Sequence, residues 1–186
     1  MSTGDKANIT TAEQLLQLPK DFGPCELVRG ELIMMTPGGY SHGSIQINLV
    51  SCLSPFVKRH RLGKITPSDV GFILEPDGRT VRAPDVAFVR ADRLPAEPIT
   101  GFFPGPPDLA VEIRSPSDRP GEIASKIAMY LEMGVRVVWE VDPESKTVTV
   151  HRPGRDREVF HENDTLREET LLAGFEVAVV DIFAWD

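Results

Sequence analysis

One strand-like stretch constrains the fold most: residues 108–118 read DLAVEIRSPSD. Apolar side chains surround Glu112 on both sides, which is typical of an interior strand with a carboxylate in its middle. A buried carboxylate is costly unless a cation, hydrogen-bond donors or a metal ion compensate it. The chain must therefore fold so that another segment brings such a partner to Glu112.

Length and composition predict one ordinary globular domain. The chain has 186 residues, of which 41% are hydrophobic and 26% charged, enough for a core of its own. We expect a single domain over residues 1–186, with residues 1–24 as an N-terminal helical extension. No apolar run approaches the roughly 18 residues of a membrane span, and the N-terminus lacks the pattern of a signal peptide. The expected location is the cytoplasm, away from membranes.

Charge and cysteine content exclude some classes of function. The net charge of −8 argues against a protein that coats nucleic acid non-specifically, because such binding depends on lysine and arginine. It leaves room for a local basic cleft or for bound cations. Cys25 and Cys52 form no CxxC motif, and the histidines show no HExxH spacing.

The order of predicted elements is that of a mixed α/β domain, with a central sheet flanked by helices. Thr10 and Glu13 have the spacing of a capping box before a short helix. In the first half of the chain we expect a hairpin around Arg29-Gly30, a helix over 41–60 that contains Pro55, and a hairpin with its turn at EPDGRT. A surface loop at LPAEPITGFFPGPP follows, and then a second helix, capped at Ser117 or Asp118, with Pro120 in its first turn and its end at Gly134. The last expected elements are strands around Asp142-Pro143 and a solvated acidic loop at HENDTLREET.

Two carboxylates interrupt apolar strands: Asp85 in VRAPDVAFV and Glu112. Side chains alternate across a strand, so Glu112 and Arg114 share one face. If the two strands pair, Asp85 and Glu112 can converge into a hard-oxygen site that suits Mg²⁺ or Mn²⁺. Lys126, on the second predicted helix, can reach Glu112 past an apolar stripe.

Structural explanations of the same residues stay open. An aspartate after a proline at a strand start is often only part of a turn, and Asp85 could be such a residue. Glu112 would be satisfied by a buried ion pair with Arg114 or Lys126. Lys126 alone would be a surface lysine lying along the helix. The basic cluster VKRHR at 57–61 is either a solvated helix end or a phosphate-contacting patch.

The sequence resembles a known family. A PD dipeptide followed by a strand-embedded glutamate with a basic residue two places on resembles the PD-(D/E)xK nuclease superfamily. The runs APDVAFV, PPDLAVEIRSPSD, KIAMYLEMGVRVVWEVDP, ELVRGELIMMTP and SHGSIQINLVSCL resemble its Uma-two family, bacterial proteins usually described as restriction endonucleases. The resemblance extends from about Cys25 to about Pro153.

The resemblance implies a restriction-endonuclease-like mixed sheet flanked by helices and an enzyme that hydrolyses DNA phosphodiesters with Mg²⁺ or Mn²⁺. It assigns Asp85, Glu112 and the main-chain carbonyl of Ile113 to the metal, and it gives Lys126 and Arg114 catalytic roles. Arg114 stands where the superfamily pattern has lysine, and an arginine cannot act as a base at neutral pH.

Further positions match the family near its cleft: Glu31, His42 and Tyr130. A homodimer or higher homo-oligomer is expected, because cutting both strands of a duplex calls for two sites. Two alternatives remain at this stage. One is an inactive nuclease-fold module that binds nucleic acid or protein, and the other is a hydrolase of another phosphodiester such as RNA.

Overall fold

The computed structural model of the chain describes residues 9–116, 118–119 and 121–185. Short 3-10 helices cover Lys20–Phe22 and Ala91–Arg93. The other elements follow in this order: α1 (Ala12–Leu16), β1 (Cys25–Val28), β2 (Glu31–Met34), α2 (Tyr40–His60), β3 (Gly63–Pro67), β4 (Phe72–Ile73), β5 (Val81–Arg82), β6 (Val86–Arg90), β7 (Phe103–Pro104), β8 (Leu109–Ile113), α3 (Glu122–Glu132), β9 (Val137–Asp142), β10 (Thr147–His151), β11 (Glu158–Phe160), β12 (Thr165–Glu168), β13 (Phe175–Ala178) and α4 (Val179–Ile182).

The described residues form two compact units, and the chain passes between them several times. Unit 1 consists of the described residues up to Pro37 together with Asp69–Ala83 and Pro95–Pro106. Unit 2 consists of Gly38–Ser68, Pro84–Leu94 and the described residues from Pro107 onward. The expectation of one domain over 1–186 stays a prediction, and the first eight residues of the proposed N-terminal extension lie outside the described part.

Unit 1 contains a sheet with the strand order β2-β1-β5-β4-β7. The predicted hairpin around Arg29-Gly30 is confirmed, since β1 pairs antiparallel with β2. Both turn residues have positive φ, 50° at Arg29 and 82° at Gly30, as a two-residue hairpin turn requires. The second predicted turn is confirmed as well, because β4 and β5 pair antiparallel across EPDGRT.

Two details of unit 1 differ from the sequence-based predictions. Helix α1 is capped one residue later than expected: Thr11 is the N-cap and forms the capping box with Gln14, not Thr10 with Glu13. The segment predicted as a surface loop contributes strand β7, which pairs parallel with β4. This short strand escaped detection because Pro and Gly surround Phe103-Pro104 and hide any alternation.

Unit 2 contains a mixed sheet with the strand order β11-β10-β9-β8-β6-β3. Strands β8 and β9 run parallel, whereas the other neighbours are antiparallel. The predicted mixed sheet flanked by helices is confirmed, with β8 buried along its whole length. A strand covered on both faces is uniformly apolar in most proteins, and here the exception is Glu112.

Helices α2 and α3 cover opposite faces of this sheet. Ile45, Leu49, Leu53 and Val57 recur every four residues along α2 and join the core with Val111 and its face of the sheet. Pro55 lies on the exposed side of α2, which continues to His60. Side-chain alternation turns Glu112 to the other face, which α3 covers.

Two predictions for unit 2 were wrong. The acidic stretch expected to be a solvated loop contains β12, which pairs with β13. Leu166 and Glu168 in β12 are fully buried, and Arg152 forms an ion pair of 2.8 Å with Glu168. The N-cap of α3 is Gly121, with φ of 88°, rather than Asp118; Ser117 and Pro120, also named for this helix start, lie outside the described residues.

Over the part of the chain that the structure describes, no helix is both long and apolar enough to cross a lipid bilayer.

Candidate active site

The two predicted carboxylates lie beside each other on β6 and β8. The antiparallel register pairs Val86 with Val111, and one further step brings Asp85 opposite Glu112. The Asp85 carboxylate accepts a hydrogen bond of 2.8 Å from the backbone N–H of Ile113. Strand pairing itself therefore brings the two acids together at one end of β8.

Helix α3 compensates the buried carboxylate of Glu112. The residue is only 4% exposed, yet each of its oxygens accepts a hydrogen bond of 2.7 Å, Oε2 from Lys126 Nζ and Oε1 from the Tyr130 hydroxyl. Lys126 and Tyr130 are four residues apart and so lie on one side of α3. The structure thus contains the predicted contact of Lys126 with Glu112, and it brings the Tyr130 hydroxyl to the same carboxylate.

The N-terminal part of α2 contacts Asp85 from the other side. His42 Nε2 lies 3.2 Å from Asp85 Oδ2. One turn later, Gln46 donates hydrogen bonds to the Asp85 carbonyl at 2.7 Å and to Ser68 Oγ at 2.9 Å. Gln46 was not predicted. Its only sequence signal is its position four residues after His42 on the same helix.

The environment of His42 favours its protonated form. The hydrogen bond to Asp85 raises the pKa of His42; partial burial opposes this rise, and the charges of Asp85 and Glu112 with a backbone contact to Ile113 add to it. The imidazole therefore holds a second proton at higher pH than a free histidine does. The site then combines two carboxylates with the Lys126 ammonium and a histidine whose protonated form those carboxylates favour.

Arg114 and Glu31 lie in other surroundings. Arg114 follows the end of β8 and forms an ion pair of 2.9 Å with Asp142. Burial alone would raise the pKa of Asp142, but hydrogen bonds from Glu144 and Ser145 and the Arg114 charge together lower it. Glu31 is an exposed residue of β2 in unit 1. A catalytic role for Arg114 and a position near the cleft for Glu31 stay predictions.

A further acid stands next to Glu112 on the neighbouring strand. The parallel register of β8 and β9 places Glu140 directly opposite Glu112, on the same face of the sheet. Glu140 is half-buried and lies 3.0 Å from His151 Nε2. Sequence reasoning missed it, although it interrupts the apolar run VVWEV in the same manner as Glu112 interrupts its strand.

The donor atoms of this site suit a hard divalent cation. No group of three or more His, Cys, Asp or Glu side chains placed for a metal was found in the described segments. Magnesium rarely needs one, since it is held by one or two carboxylates with waters and substrate oxygens. Asp85 and Glu112 supply carboxylate oxygens, the type of ligand that Mg²⁺ prefers. Asp85 and Glu112 therefore fit Mg²⁺ by chemistry and by position.

The mixed sheet flanked by helices is a restriction-endonuclease-like fold, which is a nuclease fold. A family model described as "Putative restriction endonuclease", Uma2, matches residues 12–180, and the chain belongs to this family. A crystal structure described as "a putative nuclease belonging to DUF820" from Anabaena variabilis is similar, with a TM-score of 0.80 and 26% sequence identity. The alignment covers 94% of this chain and 98% of that one. No curated protein matches the chain.

Proposed function

We propose that the protein is a Mg²⁺-dependent endonuclease that hydrolyses DNA phosphodiester bonds. The observation that carries this proposal is the pairing of Asp85 with Glu112 at the end of two central strands, with Lys126 2.7 Å from Glu112. Membership of a nuclease family and the nuclease fold support it. The choice of metal, of DNA and of these residues is our proposal.

Asp85, Glu112 and the carbonyl of Ile113 would hold the metal. When bound, such an ion lowers the pKa of a water molecule and stabilises the negative charge of a phosphoryl transition state. The carboxylates are already oriented for this role: Ile113 N–H fixes Asp85, and Tyr130 and Lys126 fix Glu112. Preorganised groups of this kind need no rearrangement when substrate binds.

The cationic side chains have a separate task. Lys126 Nζ places a positive charge beside the carboxylates, where it can stabilise charge that develops on a phosphate. His42 lies next to Asp85, which favours the protonated form of the imidazole. Arg114, which remains charged at any relevant pH, is proposed to contribute electrostatically and not as a base.

The test is a cleavage assay on plasmid and linear duplex DNA with Mg²⁺, Mn²⁺ or EDTA. Wild type should cut only with a divalent metal, and Asp85→Ala should lose roughly 10³-fold in rate. Asp156→Ala is a matched control, because it removes one exposed carboxylate of unit 2 and changes the net charge equally. Cleavage in EDTA, or an Asp85→Ala variant as active as the control, would contradict the proposal.

A second candidate function has one observation in its favour. Both oxygens of Glu112 already have protein partners, as in a purely structural buried pair. The protein would then be a nuclease-fold module that binds nucleic acid or another protein without turnover. Calorimetric titration with Mn²⁺ separates the nuclease from the inactive module. The nuclease should give a heat of metal binding that Asp85→Ala abolishes, whereas the inactive module should give none. An RNA duplex in the cleavage assay tests the remaining alternative, hydrolysis of a different phosphodiester.

We also propose that the protein acts as a homodimer, or a higher homo-oligomer, in the cytoplasm. One site per chain cuts one strand, and two-fold symmetry is the commonest way to supply a second site. Light scattering on a size-exclusion column should give twice the mass of 20.5 kDa. A monomer that nicks one strand at a time would contradict the oligomer without affecting the proposed chemistry.

A further inference from the structure

The first segment of unit 2 has an unusual charge distribution. Gly38–Ser68 contains no Asp or Glu, although the chain has 28 of them in 186 residues. The average composition would place about five acids there. The segment carries Lys58, Arg59, Arg61 and Lys64. Its formal charge is thus +4, and the chain total of −8 leaves −12 for the rest of the molecule.

Folding concentrates these cations at one place. They stand where α2 ends and β3 begins, around a groove of about 470 Å³. Lys58, Arg61 and Lys64 line the groove together with apolar side chains that include Val57 and Ile65. Three cations around one groove are a composition that suits a phosphate group.

The cations of this groove differ from other basic residues of unit 2 in their partners. Arg93, Arg114 and Arg152 each form ion pairs of 2.7–2.9 Å with carboxylates. Within the described ranges, no carboxylate lies within ion-pair distance of Lys58, Arg61 or Lys64. Their charge is therefore available to an external anion.

Ordinary structural reasons explain only part of this pattern. A helix favours cations in its last turn, which accounts for Lys58. Edge strands often carry a lysine that discourages pairing with another chain, which accounts for Lys64 on β3. Neither effect removes acids from the N-terminal end of α2, which lies 18 residues before Lys58 and 24 residues before Lys64. A polyanion that follows the whole segment does account for that, because any carboxylate along its path would repel it.

The dimensions match a nucleic-acid backbone. The N-terminal end of α2 reaches the candidate active site through His42 and Gln46. Lys58 comes sixteen residues after His42, so the two lie about 24 Å apart along the helix. Phosphates of one strand in duplex DNA are spaced by about 3.4 Å. A duplex that lies along α2 would thus span the distance in about seven base pairs.

We propose that the Lys58–Arg61–Lys64 groove binds the phosphate backbone of duplex DNA about seven base pairs from the phosphate at Asp85 and Glu112. The proposal rests on the proposed nuclease function for its choice of ligand. It assigns the substrate's flanking contacts to a site that carries no catalytic residue, and it explains how a protein of net charge −8 holds a polyanion.

The experiment compares two triple variants by fluorescence anisotropy with a labelled 30-base-pair duplex, in EDTA, at three salt concentrations. Lys58→Gln/Arg61→Gln/Lys64→Gln removes the groove's charge. Arg155→Gln/Arg157→Gln/Arg167→Gln removes the same charge from exposed positions elsewhere on unit 2. The groove variant should bind at least about tenfold more weakly and lose about three from the slope of log K against log salt, roughly one for each phosphate contact. The control should keep the wild-type slope.

Equal weakening by both variants would show a general charge effect and overturn the proposal, as would no change in either. The proposal would also be overturned if millimolar inorganic phosphate raised the melting temperature of the wild type while the duplex did not bind. The groove would then bind a single free anion. An acidic peptide that displaces the duplex only from the wild type would identify a protein ligand instead. Thermal melting of each variant excludes misfolding, and all six positions are exposed.

Cleavage assays separate this proposal from the proposed function. On bis(4-nitrophenyl) phosphate, which is too small to reach the groove, the groove variant should match wild type, while on the long duplex its KM should rise with kcat preserved. If binding depends on the groove but no metal supports cleavage, the nuclease function fails and the groove proposal stands. If Asp85→Ala abolishes cleavage while the groove variant binds normally, the groove proposal fails alone.

Discussion

Of the three proline–aspartate dipeptides in the chain, two occupy equivalent places in the fold, Pro84-Asp85 and Pro107-Asp108. Each precedes one strand of the antiparallel β6/β8 pair. Asp85 accepts a hydrogen bond from the backbone N–H of Ile113 at 2.8 Å, and Asp108 accepts one from Arg90 at 3.0 Å. The two acids therefore anchor opposite ends of one pair of strands by the same backbone contact.

Their surroundings differ in charge and access. The register places Val89 opposite Asp108, where Glu112 stands opposite Asp85. Arg93 neutralises Asp108 at 2.9 Å, and that carboxylate is 2% exposed, against 16% for Asp85. A proline–aspartate dipeptide at a strand start is thus a structural anchor by itself. What distinguishes the candidate site is the second carboxylate across the strand and the greater exposure of Asp85.

The largest expected difference between the two aspartates is in catalysis. Asp85→Asn should lower DNA cleavage roughly 10³-fold, because it removes a proposed metal ligand. Asp108→Asn should stay within about threefold of wild type per folded molecule, since Arg93 seals it from substrate. Rates normalised to the folded fraction provide the measurement. Comparable losses in both variants would mean that Asp85 is an anchor like its counterpart.

Stability should show the reverse order. Asp108→Ala removes the ion pair with Arg93 and the acceptor of the Arg90 backbone N–H, which we expect to cost about 3 kcal/mol of unfolding free energy. Asp85→Ala should cost about half as much, because its site is more open to water. Urea titrations followed by circular dichroism give both values. A larger loss of unfolding free energy in Asp85→Ala than in Asp108→Ala would mean that Asp85, and not Asp108, is the stronger structural anchor.

The Glu112 cluster has no counterpart at the Asp108 end, and its pairing can be tested directly. Lys126→Met should destabilise the fold by about 2 kcal/mol, because it removes the cation that pairs with the buried Glu112 carboxylate. Adding Glu112→Gln should recover about 1 kcal/mol, since no charge is then buried. Additive losses in the double-mutant cycle would contradict the ion pair.

The smallest expected effect concerns the titration of His42. In metal-free protein its pKa should lie above the ordinary value of about 6.5, because Asp85 stabilises the protonated ring. The resulting stabilisation is present below pH 6.5 or so and is lost as the pH rises through the folded-state pKa. Asp85→Asn should lower that pKa in an NMR titration, while Asp108→Asn should not. An unchanged His42 pKa in Asp85→Asn would show that Asp85 does not cause the rise.

Local patterns predicted much of this structure. The apolar run around Glu112, the helical spacing of Lys126 and Tyr130, and the turn at Arg29-Gly30 each lead to features that the structure contains. They succeed because strand alternation and helix periodicity are properties of neighbouring residues.

The failures come from long-range pairing. Gln46 contacts the carbonyl of Asp85, thirty-nine positions away, and no local pattern encodes that contact. The acidic stretch at 161–170 looks solvated until Arg152 is known to pair with Glu168. Glu140 becomes part of the site's surroundings only through the parallel register with Glu112. The division into two units is equally hidden, because each unit is assembled from separated segments.

The position of Lys126 and Tyr130 on the connection between β8 and β9 has a consequence for synthesis of the protein. Glu112 leaves the ribosome fourteen residues before its cation and eighteen before its hydroxyl donor. At about 5–20 residues per second, the nascent strand waits on the order of a second or more with an uncompensated acid. Until α3 emerges, the uncompensated charge of Glu112 favours a hydrated β8. We therefore expect the sheet to close around Glu112 only after α3 has been synthesised.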